Sequence, residues 1–176
     1  DESKAYFVDG MTDTLTAELS KIGSIKVIAR TSAMRFKGSD KPPSQIAREL
    51  GVHGLVEGSV QQFGDEIRIT AQLIDGRSEA HLWGENFEGT IEGVLRLQGE
   101  VAVSIADQIG ATLTPDERDE YATAKVVNPE AFDLYLRGRD LMQSRLGGDL
   151  RDALSLFKEA IAIDSEFALA YSGLAD

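Results

Sequence analysis

The sequence contains no cysteine. A disulfide framework and a thiolate metal site are both excluded. Histidine is scarce too: His53 and His81 are the only two, far apart and in no shared motif. A metal centre needs three or more ligands at close spacing, so both histidines read as structural, and no metal site is expected. Basic residues are outnumbered, 18 against 30 acidic ones, for a net charge of -12. Such a surface repels a phosphate backbone and an anionic membrane, which argues against nucleic-acid binding. No run of about 18 apolar residues occurs, so no membrane-spanning helix is expected within these residues. No signal peptide is expected within these residues. The P-loop pattern and the G-x-S-x-G nucleophile elbow are both missing, and the glycines at 51, 54, 58 and 64 form no phosphate loop. No catalytic residue and no cofactor is expected.

What is present supports a folded core. Hydrophobic residues make up 42% of 176, enough to exclude wholesale disorder. The clearest signal is Leu55 to Asp75. Ile67, Ile69, Ala71 and Leu73 alternate with Arg68, Thr70 and Gln72, the period of a strand with one buried face. Gly64-Asp65 fits a tight hairpin turn with Gly at the position that needs φ > 0. Gly58 sits between Val56 and Val60, where something approaches the backbone closely. Glu57, read as largely buried, needs a partner, which Arg30 or Arg68 could supply. Glu57 and Gly58 are also the candidate ligand contacts.

In chain order, Val8, Met11, Leu15, Leu19 and Ile22 predict a helix capped by Asp9 or Thr12 and ended by Gly23. Asp9, Asp13 and Glu18 read as helix-start acids rather than a catalytic pair. Ile25 to Arg30 reads as a strand. Thr31 to Lys41 mixes a helical turn with loop, with Phe36 turned inward. Pro42-Pro43-Ser44 opens a second helix, Gln45 to Leu50, stopped by Gly51. After the hairpin, Ala80 to Phe87 is a further strand, where His81-x-Trp83 sets an aromatic against the sheet. The order predicts an α/β fold, a mixed sheet with helices packed on it. From Thr90 the period turns helical, with Ile91, Val94, Leu95, Gln98, Val101, Ala102, Ile105 and Ile109 on one stripe. Thr114-Pro115-Asp116-Glu117 reads as a capping box opening a short charged helix to Ala124, its acids on a solvated face. Asn128-Pro129 opens a helix to about Arg145. Gly147-Gly148-Asp149 breaks it. Leu150 to Ile163 and a helix from Glu166 follow. The expected domains are 1–113, an α/β unit; 114–127, a helical linker; and 128–176, an all-α unit, with the boundary near Lys125 to Asn128.

Two family resemblances rest on these residues. Ala153, Phe157 and Ala160 stand as the A-x3-F-x2-A half of a tetratricopeptide repeat. Gly138 and Leu141 fit its first helix, Leu134 stands where Trp is usual, and Ser165 replaces the terminal Pro. Tyr171, Leu174 and Ala175 resemble the start of a further repeat. The spacing implies a truncated array, since one and a third repeats bury too little alone. The first part resembles the TolB-like α/β domain. The matching stretches are Tyr6-Phe7-Val8-Asp9-Gly10-Met11-Thr12, Ile28-Ala29-Arg30-Thr31-Ser32, Leu50-Gly51-Val52, Val56-Glu57-Gly58-Ser59-Val60, Ile67 to Asp75 and His81-Leu82-Trp83. Tyr135-Leu136-Arg137-Gly138-Arg139 is similar to the linker-to-repeat junction of such proteins. In that family a further strand precedes the position of Tyr6.

The resemblance implies a bacterial regulatory or scaffolding module. In similar proteins it follows an effector: a nucleotide cyclase, a winged-helix activator or a serine/threonine kinase. The chain starts without Met and stops mid-pattern, so a longer protein is expected, with an upstream anchor or signal open. Two functions follow as expectations. One is a non-catalytic interaction and signal-transmission module, with a repeat groove for a protein or peptide partner. The alternative is a small-ligand sensor using Glu57 and Gly58 and regulating the effector. The resemblance favours the periplasmic side of a membrane-anchored protein, with a cytoplasmic place open. An exposed sheet edge would permit an edge-strand dimer.

Overall fold

The computed structural model describes residues 5–123, 126–143 and 149–175. The expected helix end at Arg145, the break at Gly147-Gly148, the boundary residue Lys125 and the opening Asp1 to Lys4 lie outside them.

The hairpin forms as its pattern predicts. β1 (Gly54–Phe63) and β2 (Glu66–Asp75) pair antiparallel along their whole length, Phe63 opposite Glu66. Gly64 takes φ of 62°, the left-handed value the turn requires. β3 (His81–Thr90) pairs antiparallel with β2, and the sheet order is β1-β2-β3. Ile67, Ile69, Ala71 and Leu73 are all buried on one face. The other face is polar and open: Arg68 pairs with Glu88 at 2.7 Å and Thr70 with Asn86 at 2.8 Å.

The expected mixed sheet is thus corrected to an antiparallel one among the described residues. The segment that would have mixed it, Ile25 to Arg30, is not a strand. Ile25 and Val27 pack half-buried against the core, but the Ile25 N–H bonds back to Ile22 O at 3.0 Å. Its β-branched side chains report a surface to pack on, not a ladder.

Helices cover the buried face. α1 spans Ala5–Lys21 and starts earlier than the capping residues suggest. Asp9, Asp13 and Glu18 lie inside it, so the capping role is corrected. Asp9 pairs with Lys37 at 2.5 Å, Glu18 with Lys21 at 3.1 Å, and the Thr12 hydroxyl donates to Val8 O. Phe7, in this earlier part of the helix, is buried at 4% exposure. A short turn α2 (Arg30–Ala33) runs into a 3-10 turn ending at Phe36, which is half-buried under Lys41. α3 (Pro43–Leu50) ends at Gly51 in the left-handed conformation.

α4 (Val94–Gln108) lies on β2 and β3 and buries Val94, Gln98, Val101, Ala102 and Ile105 of the predicted stripe, with Leu97 beside them; Leu95 is half-buried, and Ile109, just past the helix, is exposed. α5 (Pro115–Ala122) opens with the predicted capping box, the Glu117 N–H donating to Thr114 Oγ1 at 3.2 Å. It is tied back rather than free. The Glu117 carboxylate accepts from Gly23 N at 3.1 Å, and the Tyr121 hydroxyl donates to Glu18 O at 2.8 Å.

α6 (Pro129–Gln143), α7 (Asp149–Ile163) and α8 (Ala168–Ala175) pack on one another. Asn128 Oδ1 caps α6 by accepting from Glu130 N and Ala131 N. Ala153, Phe157 and Ala160 are all fully buried. Phe157 is gripped from two sides. A Cβ added at Gly138 would lie 2.5 Å from its ring, and one at Gly173 would lie 2.8 Å away. Tyr135 meets Phe157 and Phe167 at 6.0 and 5.6 Å between ring centroids. One buried cluster runs without a break from β2 through α4 and α1 into α6, α7 and α8.

Overpacking is the cost of filling the space beside Phe157. Gly138→Ala should destabilise the chain by about 1–3 kcal/mol in denaturant unfolding; a neutral result would mean that the α6–α7 spacing is not set by that contact. A second test reads Tyr121. Its burial first, and the Glu18 charge second, push its pKa from 10.0 to about 12. The folded chain therefore holds this proton longer than the unfolded chain. The stability it contributes is complete below pH 10 and is lost as pH rises towards 12. Ultraviolet titration should lose one late-titrating tyrosine in Tyr121→Phe.

Candidate functional site

Two places stand out: a cleft at the free edge of β1, and the seam where α1 meets α6.

The turn fixes the parity of β1. Phe63 and Glu66 close a two-residue loop as a hydrogen-bonded pair. Glu57 and Ser59 then bond to β2, while Val56, Gly58 and Val60 aim their N–H and C=O at the open edge. The same three residues sit on the helix side, opposite Leu73, Ala71 and Ile69. Their β2 partners are buried, yet Val56 is 40% exposed. Between them and Val8, Met11, Thr12 and Leu15 of α1 lies a mostly apolar cleft of about 100 Å³. Helices pack about 8–10 Å apart and strands about 4.8 Å, so two adjacent helices roof about four strand positions. Three are filled. The room left lies beside β1, under α1.

Glu57 and Gly58 both border this cleft. Gly58 is there because nothing larger fits: a Cβ would meet Thr70 O at 2.5 Å. Glu57 contributes its backbone. Its side chain points to the polar face of the sheet and accepts from Gln72 Nε2 at 3.2 Å. The reading of Glu57 as buried and paired with Arg30 or Arg68 is therefore corrected; Arg30 pairs with Asp13, and Arg68 with Glu88. Glu57 pairs with Gln72, so the alternation itself sets it on the open face of the sheet.

Gln98 is the residue the sequence half showed, a polar side chain on an apolar stripe. It is 1% exposed and borders the cleft. Its Nε2 donates to Thr14 Oγ1 and to Met11 O, while its Oε1 is buried with no partner among the described residues. His53 and His81 are exposed, and no described group of three His, Asp or Glu is placed to hold a metal ion. Trp83 stands near Phe87, 6.1 Å between centroids, as the aromatic reading of that strand expects.

The seam was not visible as a site. At its centre, a Cβ on Gly10 would lie 2.6 Å from Leu136 Cδ2. At one end the Tyr6 hydroxyl donates to Asp133 at 2.5 Å, and the Arg137 guanidinium lies 5.4 Å from the Tyr6 ring centre. Burial first, and the Asp133 hydrogen bond second, raise the Tyr6 pKa. At the other end Asp13 joins three elements: it pairs with Arg30 of α2 and accepts from Gln143 Nε2 of α6. Desolvation lowers the Arg30 pKa.

No family model matches the chain. Over 174 residues, 99% of its length, the chain is 34% identical to "Putative adenylate cyclase 3" of Rhizobium meliloti (strain 1021). That stretch is 30% of the relative, so the chain spans less than a third of the curated protein it matches. Among solved structures, lipoprotein GNA1162 from Neisseria meningitidis aligns with a TM-score of 0.40 and 21% identity, over 60% of this chain and 86% of that one. No described helix is long and apolar enough to cross a membrane.

The parity of β1 makes a sharp test. Val56→Pro removes an N–H that faces the open edge, whereas Glu57→Pro removes one that β2 uses. Glu57→Pro should cost about 1–3 kcal/mol more in denaturant unfolding. Equal losses would show that the outward row has been assigned to the wrong residues.

Proposed function

We propose that this chain is a non-catalytic interaction and signal-transmission module of a larger bacterial regulatory protein, a TolB-like α/β unit followed by tetratricopeptide-like helices. One observation carries the reading: nearly the whole chain aligns with under a third of a much longer protein with a cyclase name. A segment of that relation fits an accessory role, with any catalysis elsewhere in the longer protein. The room for one more strand beside β1 supports the TolB-like part. The burial of Ala153, Phe157 and Ala160 around a ring pinched by two glycines supports the repeat-like part. The division of the chain at 113 and 127 belongs to this proposal too.

The second reading, a small-ligand sensor, has one observation in its favour: a mostly apolar cleft with an unpartnered Gln98 Oε1 on its border. A ligand there would bring an apolar body and one hydrogen-bond donor.

The two readings separate in the parent protein. Phe157→Ala should remove regulation of the effector while its basal output stays unchanged, because that substitution empties the helical unit's core and should cost about 3–5 kcal/mol. Regulation that survives with the helical unit unfolded would remove the first reading. A metabolite screen by thermal shift tests the second, and it fails if nothing raises the melting temperature of the intact chain.

A further inference from the structure

The seam between α1 and α6 has a direction that the helix geometry fixes. At about 100° per residue, Tyr135 and Gly138 share one side of α6, and that side holds Phe157 of α7. Asp133, Leu136, Arg137 and Gln143 centre about 160° away, on the side turned from α7. α1 lies on that second side. Stacked helical pairs carry their binding groove on one continuous face of the array. If that face is the one turned from α7, then α1 already occupies its first position.

The contact shares the common buried core and adds to it anchors at defined positions along α1. Gly10 supplies close approach at the centre. An aromatic hydroxyl, Tyr6, fits the Asp133–Arg137 pair one turn before it. A carboxylate, Asp13, fits Gln143 one turn after it. An amphipathic helix read through anchors three and four residues apart is a standard docking mode. Here the anchors are at 6, 10 and 13.

We propose that the face of α6 opposite α7 is a helix-docking surface and that α1 is its resident occupant. A partner helix with the same pattern, an aromatic residue, a glycine four residues on and an aspartate three further, takes this face in competition with α1. The inference rests on the interaction-module reading and names its partner as an amphipathic helix. It also gives the coupling: α1 roofs the cleft at β1 with one side and holds α6 with another, so displacing it from α6 alters both units.

The test uses the whole chain and a synthetic labelled peptide of residues 5–21. Two variants loosen the resident helix: Gly10→Leu, which wedges the seam, and the double change Tyr6→Phe with Asp13→Ala, which removes the end contacts without adding bulk. Amide exchange shows whether α6, α7 and α8 stay folded. The expected result is that a variant with a folded helical unit binds the peptide at least tenfold more tightly than the unaltered chain. A peptide carrying Gly10→Leu should not bind. Equal binding by the unaltered chain, or none by a folded variant, overturns the proposal. Loss of α6–α8 protection in both variants overturns it as well, since α1 would then be a fixed part of the helical core and not a displaceable occupant. None of these readouts involves effector activity, so failure here leaves the broader functional reading to its own test.

Discussion

The structure depends on how closely α1 can be approached. Gly10 leaves no room for a methyl group before Leu136, and that contact joins α1 to α6. Other faces of α1 are engaged as well. Phe7 and Met11 enter the common core, Thr14 meets Gln98 of α4, and Val8 and Leu15 line the cleft at β1. A helix engaged on so many sides couples its contacts to one another. Movement at any one contact is felt at the others because close-packed interiors transmit strain rather than absorb it.

The seam combines weak and strong terms in a particular order. Its centre is apolar and fully buried, with Leu136 and Phe132 at 0% exposure. Its ends are polar and partly open. Ion pairs of that kind contribute little each, typically under about 1 kcal/mol when exposed. Their role is to choose a register along the helix, while the apolar centre holds the helices together. Asp13 differs, being buried among elements of three different sequence origins. Removing one member of a buried charged set strands the others, and that cost exceeds any net gain from forming the set.

Much of the α/β unit was legible because its signals are local. A period of two in Ile67 to Leu73, a Gly at the first turn position and a capping box at Thr114 each depend on a few neighbours. What failed was non-local. Ile25 to Arg30 carries strand-like residues, but whether a strand forms depends on a neighbour that no local pattern names. Glu57 falls on the face shared with Gln72, and no local pattern says that this face stays uncovered. Asp9 and Asp13 look like helix-start acids, but the helix already runs from Ala5. The seam itself was hidden in plain stretches: Tyr6 to Thr12 and Tyr135 to Arg139 were both conspicuous, yet nothing in either says that they face each other. Of the candidate site, Gly58 was readable from spacing alone, and Gln98 showed as a misfit on its stripe. Neither spacing nor composition could place them on the same cleft.

The edge of β1 and the edge of β3 are not equivalent, which bears on where another chain segment could join. On the helix side of β3, Glu85 stands opposite Ala71, and an inward charge at an edge resists pairing with a further strand. β1 has no such charge on that side; it presents Val56, Gly58 and Val60. A second copy of this chain is a poor fit there, because each copy brings its own α1 into the space that one helix roofs. A single extended segment meets no such obstacle: its backbone would bond to the outward row and its inward side chains would fill the cleft beneath Val8 and Leu15. The geometry therefore favours a lone strand over a sheet-to-sheet dimer at β1, and such a strand would lie against the same helix that holds α6.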